Sequence, residues 1–550
     1  MQRLPRGGQW LLALLLALAS VFPVSGGQSP NDASFLATLG ELREASYSDK
    51  ASIAERLGQT GHPSVRAVLT ALLQDRLYFR NSDQKVFIVK AADADPLNLI
   101  DPISLKDAGT ASADALTQIG TNNGLRSTLR TIVAHFALAS PDAAVRLDAV
   151  REMSRSLDDA NVALLRQRLS AETNSGVRKE INIGLALAAL DGSDSKARLE
   201  AIATLSQSVE QDVRNRLALL LDKAPDGSFA ESDPKVRQAA AAAVQTIDQW
   251  RSFYSGIETL FFGLSVGSVL VLIAIGLSIT FGVMGVINMA HGELMMLGAY
   301  TTYVVQTAMP GHIGISILVA IPAAFIVAGL TGVAMERTII RFLYGRPLET
   351  LLATFGVSLI LQQTVRSIFS ALNRSVVTPD WMSGELRLNG ALGITYNRLY
   401  IVIFTLIVFS LILLVLKRTR IGLDIRAVSQ NRAMAKAMGI RTEWVDAMTF
   451  GLGSGIAGVA GVALSQLTNV GPNLGQSYII DSFLVVVFGG VGNLWGSLIG
   501  GMSMGIVNQL LEPYAGAVLA KIFVLVGLIL FIQARPLGLF PQTGRAAEDK

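Results

Sequence analysis

The sequence predicts an all-α protein in two parts: a water-soluble helical-repeat domain with a small β-hairpin insertion, then a polytopic helical membrane domain. Three observations predict it. Half of the 550 residues are hydrophobic (51%) and only 16% are charged, against roughly a quarter charged in soluble domains. The apolar residues are unevenly spread: 28–250 read as an ordinary soluble sequence, whereas charge almost disappears from Leu260 onward, which sets a boundary near Trp250. A short phrase also keeps returning at helix starts in the soluble part.

The chain opens MQRLPRGGQWLLALLLALASVFPVSGG. Arg3 and Arg6 precede a short apolar core and then small residues, the layout of a secretory signal peptide over 1–26; the core is shorter than the ~20 residues of a spanning helix. Residues 28–250 are therefore expected outside the cytoplasm. There is no cysteine, so the exported domain is held by packing without disulfides, and cysteine-based metal or redox chemistry is excluded. A net charge of +4, with basic residues gathered at membrane boundaries, argues against a nucleic-acid partner.

In the exported domain the returning phrase reads HPSVR (62–66), PDAAVR (141–146), NSGVR (174–178), QDVR (211–214) and DPKVR (233–237). A polar or Pro/Gly turn precedes a Val-Arg pair that opens an apolar helix, as in stacked helical hairpins; the resemblance is to HEAT-like repeats. Residues 77–102, with β-rich runs flanking NSDQ, read as a hairpin inserted among the helices. His62 and His135 are isolated, and nothing here reads as catalytic.

No Asp, Glu, Lys or Arg occurs in 259–292, nor in 294–335. These two blocks hold three spans of about 20 residues. Further spans are expected at 350–372, 399–416 and 447–466, then a Gly-rich pair within 482–512 and a last span near 518–534. Lys and Arg accumulate in short cytoplasmic loops. The loop with Arg337, Arg341 and Arg346 and the stretch 417–443, with seven basic and two acidic residues, are the inside candidates. Counting spans from an exported first domain puts both loops in the cytoplasm, and Arg535 and the tail 541–550 as well if residues 482–512 enter and leave as a hairpin. Gly451 and Gly455, and Gly492, Gly496 and Gly500, lie four apart, the spacing that lets helix backbones approach closely in lipid. FGVMGVIN (281–288) echoes FGGVGN (488–493), a hint of internal duplication.

Within this apolar sequence, VINMAHGELMML (286–297) carries Asn288, His291 and Glu293. On a continuous helix Asn288 and His291 share a face and Glu293 points nearly opposite, while Gly292 permits a break. Polar groups at membrane depth are costly and point to a polar path or a broken helix. The competing expectation is a cytoplasmic turn already in water.

Four blocks, GLSITFGVMGVINMAHGELMMLGAY (276–300), SQNRAMAKAMGI (429–440), FLVVVFGGVGNLWGSLIGG (483–501) and RPLGLF (535–540), together resemble the permease subunits of branched-chain amino-acid ABC importers across 255–540. With a long exported domain in front, the chain is most similar to the urea-importer (UrtB-type) branch. The resemblance implies an inner-membrane transport subunit, not an enzyme, without cofactor or metal. It implies as partners a second permease subunit, two cytoplasmic ATP-binding subunits and a periplasmic solute-binding protein, besides membrane lipid. No Gly-Lys dipeptide occurs, so the chain lacks a Walker A phosphate loop and ATP chemistry falls to the partners.

For a small neutral amide the path needs hydrogen-bond donors and acceptors. Candidates are Asn288, His291, Glu293, Gln362 with its neighbour Gln363, Gln466 and Asn493. Coupling to the ATPases is expected through AVSQNRAMAKAMG (427–439) as one helix. Val428, Ala435 and Met438 form its stripe, Arg432 and Lys436 stay wet, and Gly439 caps its end; Arg426, Gln430, Asn431, Ala435 and Gly439 are the coupling candidates. The rival classes are a branched-chain amino-acid or short-amide permease and, further off, an ion-coupled carrier using Glu293 and Arg366.

Overall fold

The computed structural model describes residues 30–90, 96–155, 157–223 and 229–540; the expected signal peptide and the tail 541–550 lie outside the described residues. The chain divides into two compact units, one of residues 1–208 with 215–244, the other of 209–214 with 245–550.

In the first unit, α1 (Pro30–Glu41), α2 (Tyr47–Gln59), α3 (Val65–Leu73) and α4 (Asn123–Ala137) bury Phe35, Leu39, Leu57, Leu69, Leu72 and Leu129 in one core. Between α3 and α4 the expected hairpin is a larger element. The strands β1 (Leu77–Arg80), β2 (Val86–Val89), β3 (Leu97–Ile100), β4 (Asp107–Ala111) and β5 (Leu116–Gln118) form one antiparallel sheet in the order β4-β3-β2-β1-β5. The β-branched and aromatic signal is concentrated in β1 and β2. β4 reads DAGTA and is mostly exposed, and β5 is three residues long, so neither carries the alternation that marks a half-buried strand.

The helices α5 (Ala143–Met153), α6 (Asp159–Ala171), α7 (Ser175–Ala189), α8 (Ser195–Leu205) and α9 (Gln211–Leu219) come next, and α10 (Pro234–Met284) begins. Each Val-Arg pair sits in the first turn or so of a helix. Asp142, Asp158, Asn174 and Asp194 cap α5 to α8 by accepting hydrogen bonds from first-turn N–H groups, satisfying donors a helix start leaves free. Arg146 donates to the carbonyls of Ser140 and Pro141, and Arg237 to those of Glu231 and Ser232. The two copies of the phrase thus make the same contact, six and five residues back. Arg146 also forms a two-pronged pair with Glu172, at 2.8 Å on both arms, and Arg198 pairs with Glu231.

Among the described residues of the chain, six helices are long and apolar enough to cross a membrane. The second unit holds α11 (His291–Ala308), α12 (Ile313–Thr338), α13 (Pro347–Phe369), the hairpin β6 (Glu385–Asn389) and β7 (Leu392–Thr395), and α14 (Tyr396–Arg418). It continues with α15 (Arg420–Gln430), α16 (Arg432–Ala437), α17 (Thr442–Ser465), α18 (Leu474–Gly489) and α19 (Leu494–Ala534). α19 is two helices broken at Gly516, where φ is 78°, three residues after Pro513. The buried centre is α17: a Cβ on Gly298 of α11 would meet the Gly458 carbonyl oxygen at 2.0 Å, so the two backbones touch where lipid gives no hydrophobic drive. Of the expected packing glycines, Gly451 lies against Val333, Gly455 against the Phe325 ring, Gly496 against the Gly489 backbone and Gly500 against Val485. Gly492 precedes α19 in a turn with φ of 77°, and its backbone lies against Gly282, where a Cβ would meet the Gly492 Cα at 2.6 Å.

Candidate functional site

α10 does not run on through Asn288. It stops at Met284, Gly285 takes a φ of 66°, and a non-helical stretch ending in a turn leads to α11 at His291. The break therefore falls at 285–290, before Gly292. Asn288 closes the turn by accepting from the Ala290 N–H at 3.0 Å. His291 donates from Nε2 to the Ile273 carbonyl at 3.0 Å. Ile273 lies eleven residues before the end of α10, about 16 Å along its axis, so α11 starts well inside the span. Asn288, His291 and Glu293 are at most 1% exposed, which replaces the expectation of a turn in water.

A second segment behaves alike. α17 ends at Ser465, the chain turns through 466–473, and α18 begins at Leu474. The starts of α11 and α18 abut: a Cβ on Gly292 would meet the Gly475 oxygen at 2.3 Å, and one on Gly475 would meet the Gly292 backbone at 2.5 Å.

Both segments are stitched to α13. Its polar residues Thr350, Thr354, Ser358 and Gln362 recur every fourth position, so they line one face, and all four are buried. Thr354 Oγ1 accepts from the Met289 N–H at 3.1 Å. Ser358 and Gln362 donate to Glu293 Oε1 at 3.2 and 2.7 Å. One turn further, Arg366 donates to Asn473 Oδ1 at 2.6 Å. Sequence reasoning found Gln362 but missed Thr354 and Ser358; the period-four polar ladder in an apolar span was the available signal.

The structure thus brings Glu293 and Gln362 together, with Asn288 and His291 on the same broken segment. Three buried polar atoms there, Asn288 Nδ2, His291 Nδ1 and Glu293 Oε2, have no hydrogen-bond partner among the described residues. Gln466 is buried where the second segment begins, with Nε2 donating to Ser465 at 3.2 Å. Asn493 stands apart: its Oδ1 caps α19, accepting from Trp495 and Gly496. Gln363 is on the exposed face of α13. The duplicated phrases do share a form, since Gly285 and Gly490 both have positive φ and an Asn turn precedes the next helix in each.

The expected coupling helix is two helices. Asn431 is extended (φ −153°, ψ 98°) and caps α16 by accepting from Met434 N–H. Val428 and Ala435 are buried, but Met438 is 76% exposed, because the break rotates α16 away from the single stripe. Arg432 is bound instead of wet: it pairs with Asp446, and its guanidinium lies 4.0 Å over the Tyr344 ring, joining the two basic loops. Gly439, with φ of 88°, ends α16 as expected. Arg426 and Gln430 are exposed, and Arg426 bonds the Leu416 carbonyl.

Residues 259–533 match the family described as the branched-chain amino acid transport system permease component. The chain is 32% identical over 306 residues to the high-affinity branched-chain amino acid transport system permease protein BraD of Pseudomonas aeruginosa, covering 54% of this chain and 98% of that protein. It is 31% identical over 305 residues to LivH of Escherichia coli, 54% of this chain and 97% of the relative. To a probable LivH of Methanocaldococcus jannaschii it is 28% identical over 275 residues, 48% of this chain and 83% of the relative. No solved structure matches it. The chain belongs to the family of branched-chain amino acid transport system permease components.

Proposed function

We propose that this chain is the permease subunit of an ATP-driven urea importer, seated in a bacterial inner membrane with residues 28–250 in the periplasm and the C-terminus in the cytoplasm. One observation carries the choice of urea: relatives named as amino acid permeases are matched almost to their full length by about half of this chain, and the family match begins at residue 259. The helical unit in front has no counterpart in them, whereas the urea-importer branch that the sequence resembles carries such an extension. A second reading, import of branched-chain amino acids, is favoured by what the relatives are named for.

In this reading the α13 ladder holds both broken segments in register. Asn288, His291, Glu293, Gln362 and Gln466 then supply donors and acceptors beside the route, since a small amide stripped of water costs roughly 1–3 kcal/mol for each unmet hydrogen bond. Asn493 acts at the inner end of the membrane domain. The basic stretch 417–443 receives the push of ATP-binding partners through Arg426, Gln430, Asn431, Ala435 and Gly439. A second permease and a periplasmic solute-binding protein complete the assembly. The test is accumulation by the complete transporter in ATP-loaded proteoliposomes: labelled urea accumulates and leucine does not. Leucine accumulation without urea establishes the second reading.

A further inference from the structure

Helices that face hydrocarbon are apolar on their exposed side. α14 obeys this, with Ile403, Leu406, Ile407, Leu411 and Leu414 each 45–62% exposed. α18 is mixed: Ile480 is 60% exposed, but polar groups share its outward side. Gly475, Ile479, Ser482, Val485, Val486 and Gly489 are its buried face, while Asn473 just before it, Gln476 and Ser477 are exposed and Asp481 is partly so. Those four recur at three- and four-residue steps, so they form one outward stripe.

The stripe extends at both ends onto neighbouring helices. Arg366 of α13 bonds Asn473 at 2.6 Å. At the other end, Lys521 of α19 pairs with Asp481 at 3.0 Å, with side-chain exposures of 51% and 24%. Its depth follows from the contact of Gly475 with Gly292, beside a histidine bonded eleven residues inside α10. Charges and amides at this depth, turned away from their own subunit, are not stable against lipid tails; such groups face a partner or a water-filled path.

We propose that the stripe Arg366–Asn473–Gln476–Ser477–Asp481–Lys521 is one wall of the solute route, turned toward the second permease subunit that the function proposed above already supplies. This rests on the importer reading. The stripe carries both signs of charge beside neutral amides, which fits a small net-neutral solute with donors and acceptors, an amide or a zwitterion. The buried cluster around Glu293 lies next to this wall and also fixes where α11 and α18 begin.

The chain has no cysteine, so single-cysteine variants report directly. In the complete reconstituted transporter, Ser477→Cys and Gln476→Cys react with a hydrophilic methanethiosulfonate at least about tenfold faster than Leu411→Cys, because only a hydrated thiol ionises readily. Saturating solute slows the reaction. Protection by urea agrees with the function proposed above, whereas protection by leucine alone overturns urea and leaves the wall standing. Equal sluggishness at all three positions, in transporter that assembles normally, overturns the wall. Benzophenone maleimide on Ile480→Cys captures the second permease subunit on illumination; capture of lipid alone overturns the placement of this face as the wall.

Discussion

Glu293 shows how one side chain can be both anchored and available. Its Oε1 takes hydrogen bonds from Gln362 and Ser358, while Oε2 has none. Glu293→Gln leaves an acceptor for both donors and converts the free oxygen into a donor. Assembly should stay at the wild-type level and uptake should fall by about tenfold, the scale of one hydrogen bond; unchanged uptake would make Glu293 purely structural. A separate prediction concerns the first unit. The two-pronged bond from Arg146 holds the Glu172 carboxyl at about 2, below its ordinary 4.5. Protonation therefore favours the unfolded chain. The pair's contribution is complete above about pH 4.5 and is lost as pH falls toward about 2. Hydrogen exchange of residues 143–189 in the full chain should accelerate as pH drops through this window, after correction for intrinsic rates. Glu172→Gln should remove that dependence and destabilise the unit by about 3 kcal/mol, as expected when one partner of a buried pair is lost. A Gln variant with the wild-type pH profile would contradict the assignment.

Among the elements, α17 is packed so closely that side-chain volume decides whether it fits. Gly298→Val drives a branched side chain into the Gly458 backbone and should cost about 3 kcal/mol or more, beyond ordinary overpacking because backbone cannot yield. Gly356→Ala, where a Cβ meets nothing within 4 Å, should be neutral. Thermal unfolding of the two purified variants compares them directly, and equal melting would contradict the packing. In the basic stretch 417–443, Met434 and Met438 are 60% and 76% exposed, so Met438→Asp leaves the loop's own core intact. It should abolish stimulation of the partner ATPases with normal assembly; unchanged transport would exclude this loop from coupling. The spans up to α17 were legible in the sequence because their apolar windows are long enough to register, but the expected pair within 482–512 was not found: α18 already begins at Leu474 and the next helix runs from Leu494 to its break at Gly516. The break at Asn431 was less visible, because the apolar spacing continues across it and only capping chemistry marks it. The ladder on α13 was partly legible: Gln362 stood out by size, but Thr and Ser pass unnoticed in a span because they commonly bond their own helix. The hairpin at β6–β7 turns at Gly390-Ala391, between the paired Asn389 and Leu392, and went unread.

At the scale of the whole molecule, the permease half is a multi-pass membrane protein of a transport family, and the described residues contain no cluster of groups that could hold a metal. The first unit's role was the least legible part: its repeats announce helices, but an interaction surface has no fixed motif. The central claim is that the membrane half conducts solute and draws its energy from nucleotide hydrolysis on separate subunits. Uptake of labelled urea by the complete transporter, with the lysine of each partner's phosphate loop intact or replaced, tests it most directly. Uptake should require ATP and intact phosphate loops and be unaffected when a protonophore collapses the proton gradient. Uptake that continues without functional ATPase partners, driven by the proton gradient alone, would contradict the account.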